Sequence, residues 1–497
     1  MYFLGIDLGS SSIKLSVLDA EKGTTIASAK VPEFEMEIAA PQFGWAEQNP
    51  EDWWENVKKG FSILRDKKGV DLKKIKGIGI AYQMHGLVLT DDKLNPVRPS
   101  IIWCDSRAVE IGDEAYKAIG EEISKNQILG SPGNFTASKL KWVKENEPEN
   151  FKKASIMMLP GDYIAAKLSE TPQISTSGLS EAALWDFSKG KLATQVLDKM
   201  GLSEDFIPEI VPSFGDQATI SSAIANELGL DPDTKINYRA GDQPNNAFSL
   251  NALKPGDIAT TAGTSAVMYA VSAENTFDPE SRVNTFLHVN NTEKAKHNGV
   301  LLCINGSGIL YQWLRKIISV GREELIPYEK LNEEAAKVEP GSKGLRFYPF
   351  GNGVERIFSN KEVNSGIENL NYNIHQPAHL IRSACEGIVF AMNYGFEVMQ
   401  SIGVEGKVVR AGKDNLFLSP VFREIFVNTT QTTLELYNTS GAEGAARGAA
   451  VGYGFYKEFD DAFTSLKCLE RMEPDPKLSK QYQEIYQEWK QNIKIKE

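Results

Sequence analysis

Two short segments in the two halves of the chain share one pattern, and this repeat constrains the fold more than any other feature. Residues 7–17 read DLGSSSIKLSV, and residues 261–271 read TAGTSAVMYAV, which aligns Gly9 with Gly263. Each segment is typical of a strand, a tight turn of glycine and small hydroxyl residues, and a second strand. The repeat therefore predicts two domains built on the same plan.

Each copy of the repeat belongs to a longer run of predicted strands and helices, which favours an α/β layer architecture. In the first half, Asn49-Pro50 has the residue types of a helix start, with asparagine as the cap and proline in the first turn. The predicted strands of this half are Tyr2–Leu8, Ile13–Leu18, Thr24–Val31 and Ile75–Tyr82. In the second half we predict the strand Val408–Gly412, the helix Leu418–Asn428 and the strand Thr433–Tyr437.

Two similar domains that each present a Gly-Ser/Thr hairpin match, by analogy, the actin-like (ribonuclease H-like) ATPase plan. In that plan the two α/β domains face a central cleft. The repeat places the division between an N-terminal domain, residues 1–246, and a C-terminal domain, residues 247–497. The C-terminal aromatic residues at helical spacing, Tyr482, Tyr486 and Trp489, indicate a packing face rather than a binding site.

Composition narrows the classes of partner. The 497 residues carry a formal net charge of −12, with both signs scattered, so no basic face for nucleic acid or anionic membranes is expected. No apolar run is long enough to span a membrane, and the N-terminus lacks a signal peptide. The four cysteines form no CxxC pair, which favours reduced thiols in a cytoplasmic protein.

The two hairpins are the candidate phosphate sites. A turn of glycine and small hydroxyl residues lets backbone N–H groups approach phosphate oxygens without a side chain between them. The candidate phosphate-binding residues are Gly9, Ser10, Ser11, Ser12, Lys14, Gly263 and Thr264. Asp7, directly before the first turn, is placed to hold Mg²⁺, and the alternative is a plain turn acid.

Asp242 is the candidate general base. It follows an apparent strand end and Gly241, and Pro and Asn residues come directly after it. A carboxylate at a rigid strand-to-loop junction can accept a hydroxyl proton during phosphoryl transfer. The alternative is a turn aspartate, because Gly-Asp pairs are common in loops.

Polar and aromatic residues that follow two strand ends are the candidate sugar contacts. Together they supply an apolar wall, an imidazole, an acid and a guanidinium. The set consists of Gln83, Met84, His85, Trp103, Asp105 and Arg107. A lone histidine is also a common structural residue, so His85 has that second interpretation.

In order along the chain, these motifs resemble the FGGY family of carbohydrate kinases over almost the whole length. The segments that carry the resemblance are GIDLGSSSIK, WAEQNPEDWW, IAYQMHG, IIWCDSRA, FTASKLKW, LPGDY, AGDQPNNAFSLN, TTAGTSA, RAGKDN and SGAEGAARGAA. The resemblance implies ATP as phosphoryl donor, Mg²⁺ as metal, and Asp242 as base. It also implies that Gly412 and Asn415 contact the nucleotide.

Within the family, the segment around Met84 and His85 is most similar to the branch that phosphorylates D-xylulose to D-xylulose 5-phosphate. Other acceptors stay open, namely L-fuculose, ribulose, gluconate and glycerol. An actin- or chaperone-like ATPase switch and a catalytically idle sugar sensor are the rival classes. The expected partners are therefore a small ketose and ATP, and a homodimer is possible.

Three departures from the family pattern limit which residue roles can be transferred to this sequence. The acid-amide pair after Gly241 has the longer amide of Gln243. The glycine-rich nucleoside segment is reduced to residues 410–413, and the Gly-Glu-Arg run appears as residues 353–356 with one residue inserted. These departures weaken any detailed expectation about adenine contacts.

Overall fold

The computed structural model describes residues 1–353, 355–361, 363 and 365–495. They form two compact units, each assembled from separate stretches of chain. The first unit comprises Met1–Leu253, Phe286–Asn298 and Thr439–Leu466, and the second comprises Lys254–Thr285, Gly299–Asn438 and Lys467–Glu497. The first unit takes up chain from both sides of residues 246 and 247, and the sequence division at that point stays a prediction.

The strands are numbered here in chain order. They are β1 Tyr2–Leu8, β2 Ile13–Asp19, β3 Thr24–Val31, β4 Glu47–Gln48, β5 Ile75–Tyr82, β6 Val88–Thr90, β7 Ser100–Ile101, β8 Ile156–Met158, β9 Gln173–Ser175, β10 Trp185–Asp186, β11 Lys191–Leu192, β12 Glu209–Val211, β13 Phe214–Thr219, β14 Lys235–Gly241, β15 Ile258–Ala262, β16 Ala266–Ser272, β17 Asn284–Leu287, β18 Asn298–Ile304, β19 Arg346–Tyr348, β20 Gly366–Glu368, β21 Val408–Gly412, β22 Thr433–Tyr437 and β23 Cys468–Met472.

The α-helices are numbered in the same way. They are α1 Pro50–Ser62, α2 Val109–Ile119, α3 Glu121–Ile123, α4 Thr136–Asn146, α5 Pro148–Lys153, α6 Pro160–Ser169, α7 Thr176–Glu181, α8 Thr194–Met200, α9 Ser222–Leu228, α10 Asp242–Ser249, α11 Gly308–Ile318, α12 Tyr328–Ala336, α13 Pro377–Ser401, α14 Pro420–Thr430, α15 Gly441–Gly452 and α16 Pro476–Gln491. Helices α1 to α10 and α15 lie in the first unit.

The large sheet of the first unit has the order β13-β14-β5-β1-β2-β3. β1 pairs antiparallel with β2 and parallel with β5. β5 and β14 are parallel, and β13 is antiparallel to β14. The carboxyl ends of β1, β5 and β14 therefore meet at one edge of the sheet, where ligands bind in open α/β sheets.

The sheet of the second unit repeats this arrangement. Its order is β17-β18-β16-β15-β21-β22-β23. β15 is antiparallel to β16 and parallel to β21, β21 is parallel to β22, and β22 is antiparallel to β23. Strands β15, β21 and β22 thus correspond to β1, β5 and β14, so the duplication extends well beyond the two hairpins.

The two hairpins differ by one residue in their turns. In the first, Leu8 pairs with Ile13, and in the second, Ala262 pairs with Ala266. The turn of the first hairpin is residues 9–12 and that of the second is residues 263–265. The ungapped alignment is therefore correct on the incoming strands but shifted by one residue on the outgoing strands.

Local sequence explains the first helix. The side chain of Asn49 accepts a hydrogen bond from the N–H of Glu51, and Pro50 occupies the first turn of α1, as predicted. Trp53, Val57 and Phe61 are fully buried in the core of the first unit. In the described part of the chain, no helix is both long and apolar enough to cross a membrane.

Candidate active site

The turn of the first hairpin is held by hydrogen bonds to its backbone, from within the turn and from two residues outside it. The N–H of Gly9 donates to the carbonyl of Ser12 at 3.1 Å. The carbonyl of Ser10 accepts from Nε2 of Gln48 at 2.7 Å, and that of Ser11 accepts from the N–H of Met36 at 2.8 Å. Because these hydrogen bonds fix the carbonyl groups, the turn has the fixed backbone that phosphate binding requires.

Asp7 and Lys14 face each other across this hairpin. They are paired in register, and Nζ of Lys14 lies 3.6 Å from Oδ2 of Asp7. Burial raises the pKa of Asp7, and the ammonium group of Lys14 opposes that rise. Helix α15 begins beside them, because a Cβ added at Gly441 would lie 2.8 Å from Oδ2 of Asp7.

Asp242 is the first residue of helix α10, directly after strand β14 ends at Gly241. Burial is the larger cause that raises the pKa of Asp242 to about 7, and the like charge of Asp7 adds to it. A carboxyl group with a pKa near neutrality is well matched to proton transfer. Asp242, the predicted base, and Asp7, the predicted Mg²⁺ residue, therefore interact in the same part of the first unit.

Gln83 lies between the hairpin and the sugar-side segment. Its N–H donates to the carbonyl of Leu8 at 2.8 Å, and its Nε2 donates to Oε1 of Gln48 at 3.2 Å. Its own Oε1 is buried without a hydrogen-bond partner among the described residues. Gln48, which sequence reasoning missed, thus connects the phosphate turn with the end of β5.

Met84 and His85 follow at the same strand end. Met84 is buried, and its Cγ would lie 2.6 Å from a Cβ added at Gly241. The His85 ring packs against Phe135 and Phe286, with ring centroids 4.3 and 5.4 Å away. The structure therefore brings the predicted sugar-side segment against the backbone that carries Asp242.

The Trp103 side chain is 44% exposed, and its Nε1 lies 3.4 Å from Oγ of Ser10. It thus reaches from the second predicted sugar segment to the phosphate turn. An exposed indole beside a polar turn offers the apolar wall that sugar rings pack against.

The side chains of Asp105 and Arg107 are buried. Their charged groups meet at 2.7 Å, and Oδ2 of Asp105 also accepts the N–H of Ala46 at 2.6 Å. The Arg107 guanidinium stacks over the Trp45 ring at 3.7 Å from its centroid. In this structure the two side chains pair with each other and with residues 45 and 46, and their contact with sugar stays a prediction.

In the second unit, the turn of the second hairpin is held by helix α11. The N–H groups of Gly308 and Ile309 donate to the carbonyls of Gly263 and Thr264, at 2.9 and 3.1 Å. The amide nitrogen of Asn415 would lie 3.8 Å from a Cβ added at Gly263. The predicted phosphate turn and one predicted nucleotide residue are therefore neighbours.

Gly412 ends strand β21, three positions before Asn415 in the chain. Asn415 has a φ of 48°, in the left-handed region that asparagine tolerates better than most residues. The two residues thus flank a sharp turn after a strand end. The inserted residue of the run at 353–356, Val354, lies outside the described residues.

Two other buried residues of the first unit escaped sequence reasoning. Nζ of Lys139 donates to the carbonyls of His85 and Ile102, at 2.8 and 3.0 Å. Burial lowers the pKa of Lys139 to about 7. Glu181 lies beside His85 and Gly241. A lysine and a glutamate within helical patterns carry no sequence signal of such contacts.

Duplicated sheets of this topology, each with a glycine-containing hairpin between its first two strands, define a two-domain protein of the actin-like ATPase class. The N-terminal domain of the FGGY family of carbohydrate kinases matches residues 2–249, and its C-terminal domain matches residues 258–453. The chain belongs to the FGGY family of carbohydrate kinases. It is therefore an enzyme of the sugar kinase class, and the predicted family and fold are confirmed.

Individual relatives agree with this assignment. The chain is 27% identical to a xylulose kinase of Staphylococcus epidermidis, over 97% of this chain and 95% of the relative. It is 26% identical to a gluconokinase of Bacillus subtilis, with 97% and 94% covered. The crystal structure of xylulose kinase from Rhodospirillum rubrum superposes with a TM-score of 0.87 at 22% identity, covering 99% and 98% of the two chains.

Proposed function

We propose that the enzyme transfers the γ-phosphoryl group of ATP to D-xylulose, giving D-xylulose 5-phosphate and ADP. Family membership supports the class of reaction. The xylulose kinases of Staphylococcus epidermidis and Bacillus subtilis, each 27% identical to this chain, support the choice of sugar.

The observation that carries the proposal is the position of Asp242. Its carboxyl group stands at the end of β14, and its pKa is raised to about 7 by burial and by Asp7. Gly241, the preceding residue, packs against Met84 of the sugar-side segment. A proton acceptor therefore lies beside the side chains that would hold the acceptor sugar.

The proposed step needs one proton acceptor and an in-line arrangement. Asp242 takes the proton from the terminal hydroxyl of the sugar, and the hydroxyl oxygen forms a bond to the γ-phosphorus. The bond between the γ-phosphorus and the bridging oxygen breaks, and its electron pair leaves with ADP. Positioning and electrostatics supply most of the catalysis in such transfers.

The hairpin turns would supply the phosphate contacts. In each turn the carbonyl groups already accept hydrogen bonds from the protein. The glycine and hydroxyl residues of the turns would therefore be the groups that contact a ligand. Lys14, half-exposed next to Asp7, adds a positive charge near the first turn. Backbone N–H groups and a lysine are the usual partners of phosphate oxygens.

Mg²⁺ fits the donor set near Asp7. The described residues contain no group of three or more His, Cys, Asp or Glu side chains able to hold a metal ion. Mg²⁺ in kinase sites needs fewer protein side chains than that, because one or two carboxylates share its coordination with substrate phosphates and water. Asp7 supplies that carboxylate, and Asp242, which interacts with it, keeps its role as the base. Bound Mg²⁺ would neutralise part of the phosphate charge.

Gluconate is the second candidate acceptor, because a gluconokinase is almost as similar to this chain as the xylulose kinases are. L-Fuculose, ribulose and glycerol remain in the panel. A nucleotide-driven switch or an idle sensor would not need Asp242 as a base. A homodimer and a cytoplasmic location also stay predictions.

The replacement Asp242→Asn tests the proposal. Asparagine keeps the size and much of the hydrogen bonding of the side chain but does not take up a proton at neutral pH. We expect turnover of D-xylulose to fall by about 10²–10⁴, the usual cost of losing a general base. Binding of sugar and nucleotide should be almost unchanged. Turnover is measured by coupled ADP release, and binding by calorimetry on the same preparation.

Asp113→Asn, on the exposed surface of α2, is the matched control and should keep full activity. If Asp242→Asn loses binding together with turnover, Asp242 is a structural residue. Unchanged turnover would remove the base assignment. If wild-type enzyme phosphorylates gluconate but no ketose in the panel, the proposed sugar is wrong and the kinase class stands.

A further inference from the structure

Glu181 is a buried acid at the sugar-side edge of the first sheet. It is the last residue of helix α7, and the residue is 1% exposed. The proposed phosphoryl transfer assigns no role to Glu181. Its two carboxyl oxygens, however, point to different functional segments.

One oxygen holds His85. Oε1 of Glu181 accepts the N–H of His85 at 3.2 Å, and the main-chain carbonyl of Glu181 accepts from Nδ1 of the His85 ring at 3.1 Å. His85 has a φ of 60°, in the left-handed region that residues with a side chain rarely adopt. Two contacts from a single residue thus fix both the backbone and the ring of His85 in a disfavoured conformation.

The other oxygen touches the strand end before the base. A Cβ added at Gly241 would lie 2.6 Å from Oε2 of Glu181, a separation at which one of the two atoms would have to move. The Glu181 carboxyl group therefore rests directly on the Gly241 backbone. A side chain at this position would displace the Glu181 carboxyl group and the Met84 side chain.

Lys139 also bonds His85, through the main-chain carbonyl. Its Nζ donates to the His85 carbonyl at 2.8 Å. The N–H, the ring and the carbonyl of His85 are therefore all bonded to buried side-chain or main-chain groups. Of these partners, Glu181 also contacts Gly241, the strand end directly before Asp242.

We propose that Glu181 is a positioning residue that holds the sugar-side segment Met84-His85 at a fixed distance from Asp242. This inference rests on the proposed function, in which His85 contacts the sugar and Asp242 is the base. Glu181 acts through these two residues and does not itself exchange a proton with substrate. Burial raises the pKa of Glu181 well above its usual range. Glutamine is a close substitute because it has the same length and keeps an acceptor oxygen for the His85 N–H.

The test compares Glu181→Ala with Glu181→Gln. Alanine removes the acceptor of the His85 N–H, so we expect the KM for the sugar to rise by about tenfold or more, the effect of losing a buried hydrogen bond. The KM for ATP should change by less than about twofold, because it does not depend on that bond. Glutamine keeps an acceptor oxygen and should restore the sugar KM.

Ser180→Ala is the matched control. Ser180 precedes Glu181 on the same helix and is buried, but its hydroxyl group bonds Ser177 and Leu287. Its sugar KM should stay at the wild-type value. If Glu181→Ala does not fold, Glu181→Asp retracts the carboxyl group by one methylene and should raise the sugar KM in the same selective way.

Equal increases in both KM values, without rescue by glutamine, would show a purely structural role and overturn the proposal. An unchanged sugar KM in Glu181→Ala would also overturn it. The measurement uses whichever sugar the wild-type enzyme phosphorylates fastest in the panel. A failure of D-xylulose as substrate is therefore seen first, in the wild-type enzyme, and is separate from the outcome for Glu181.

Discussion

Glu355 is a buried carboxyl group that supports the second hairpin from a distance. Both of its oxygens lie 3.0 Å from the N–H of Asn305, and Oε1 lies 3.1 Å from the N–H of Gly306. These two residues lead into helix α11, whose first N–H groups hold the turn at Gly263. Burial raises the pKa of Glu355 to about 7, although the two backbone N–H groups oppose the rise.

We predict that Glu355 makes stability fall as pH rises through neutrality. A carboxyl pKa that is higher in the folded than in the unfolded state stabilises below the ordinary pKa, and this contribution is lost as pH rises through the folded value. Between about pH 5 and pH 8, the free energy of unfolding of wild type should fall relative to Glu355→Gln by up to about 3 kcal/mol. Denaturant titrations at a series of pH values measure this difference.

Glu339→Gln, at an exposed position of the second unit, controls for loss of a surface acid. Its stability should follow wild type at every pH. Parallel curves for wild type and Glu355→Gln would show that Glu355 does not titrate in this range.

At this scale, the sequence predicted candidate residues next to strand ends in short motifs, such as Asp7 and Asp242, and their roles stay predictions. It missed Glu181 and Lys139, because each acquires its role from a partner far along the chain. Glu181 and His85 are separated by 96 positions, and Lys139 and His85 by 54. Periodicity and local composition carry no information on such pairs, which only tertiary packing defines.

Helix α15 packs unusually close to the first sheet. A Cβ added at Gly5, in β1, would lie 1.8 Å from the carbonyl oxygen of Ala442, and one added at Gly79, in β5, would lie 2.0 Å from that of Ala445. Glycine on the strands and alanine or glycine on the helix allow backbone to contact backbone. The Gly/Ala-rich sequence of residues 441–452 therefore has a packing function as well as a family signature.

We predict that Gly79→Ala destabilises the first unit by about 1–3 kcal/mol, because its methyl group has no space and must displace α15. Gly130→Ala is the matched control, since a Cβ at that buried position meets no atom within 4 Å. Thermal and denaturant unfolding of the two variants measure the difference. Equal midpoints for Gly79→Ala and Gly130→Ala would contradict the packing argument.

The elements themselves were largely predictable. Strands β1, β3, β5, β21 and β22 have the predicted bounds. The helix predicted from Leu418 begins at Pro420 instead, because the Ser419 hydroxyl group caps it by accepting the N–H of Phe422. The one-residue difference between the hairpin turns was not predictable, since it depends on cross-strand pairing.

On the scale of the whole molecule, the two compact units are interleaved along the chain. Residues 439–466, which follow most of the second unit in sequence, belong to the first unit. The repeat in the sequence revealed that two similar domains exist. It could not reveal that the first of them is completed by a late segment, because α15 has no counterpart within the repeat motif itself.

The late position of α15 in the chain constrains the order in which the first unit can fold during synthesis. A ribosome that has synthesised only residues 1–253 has produced every strand of the first sheet, but not the helix that covers Gly5 and Gly79. We predict that nascent chains arrested before α15 stay sensitive to protease across residues 1–253, and that chains with α15 outside the ribosome become resistant. Equal resistance at both arrest points would show that the sheet closes without its helix. If the prediction holds, the first domain to be translated cannot close until most of the second has been made, and the second is itself completed only by residues 467–497.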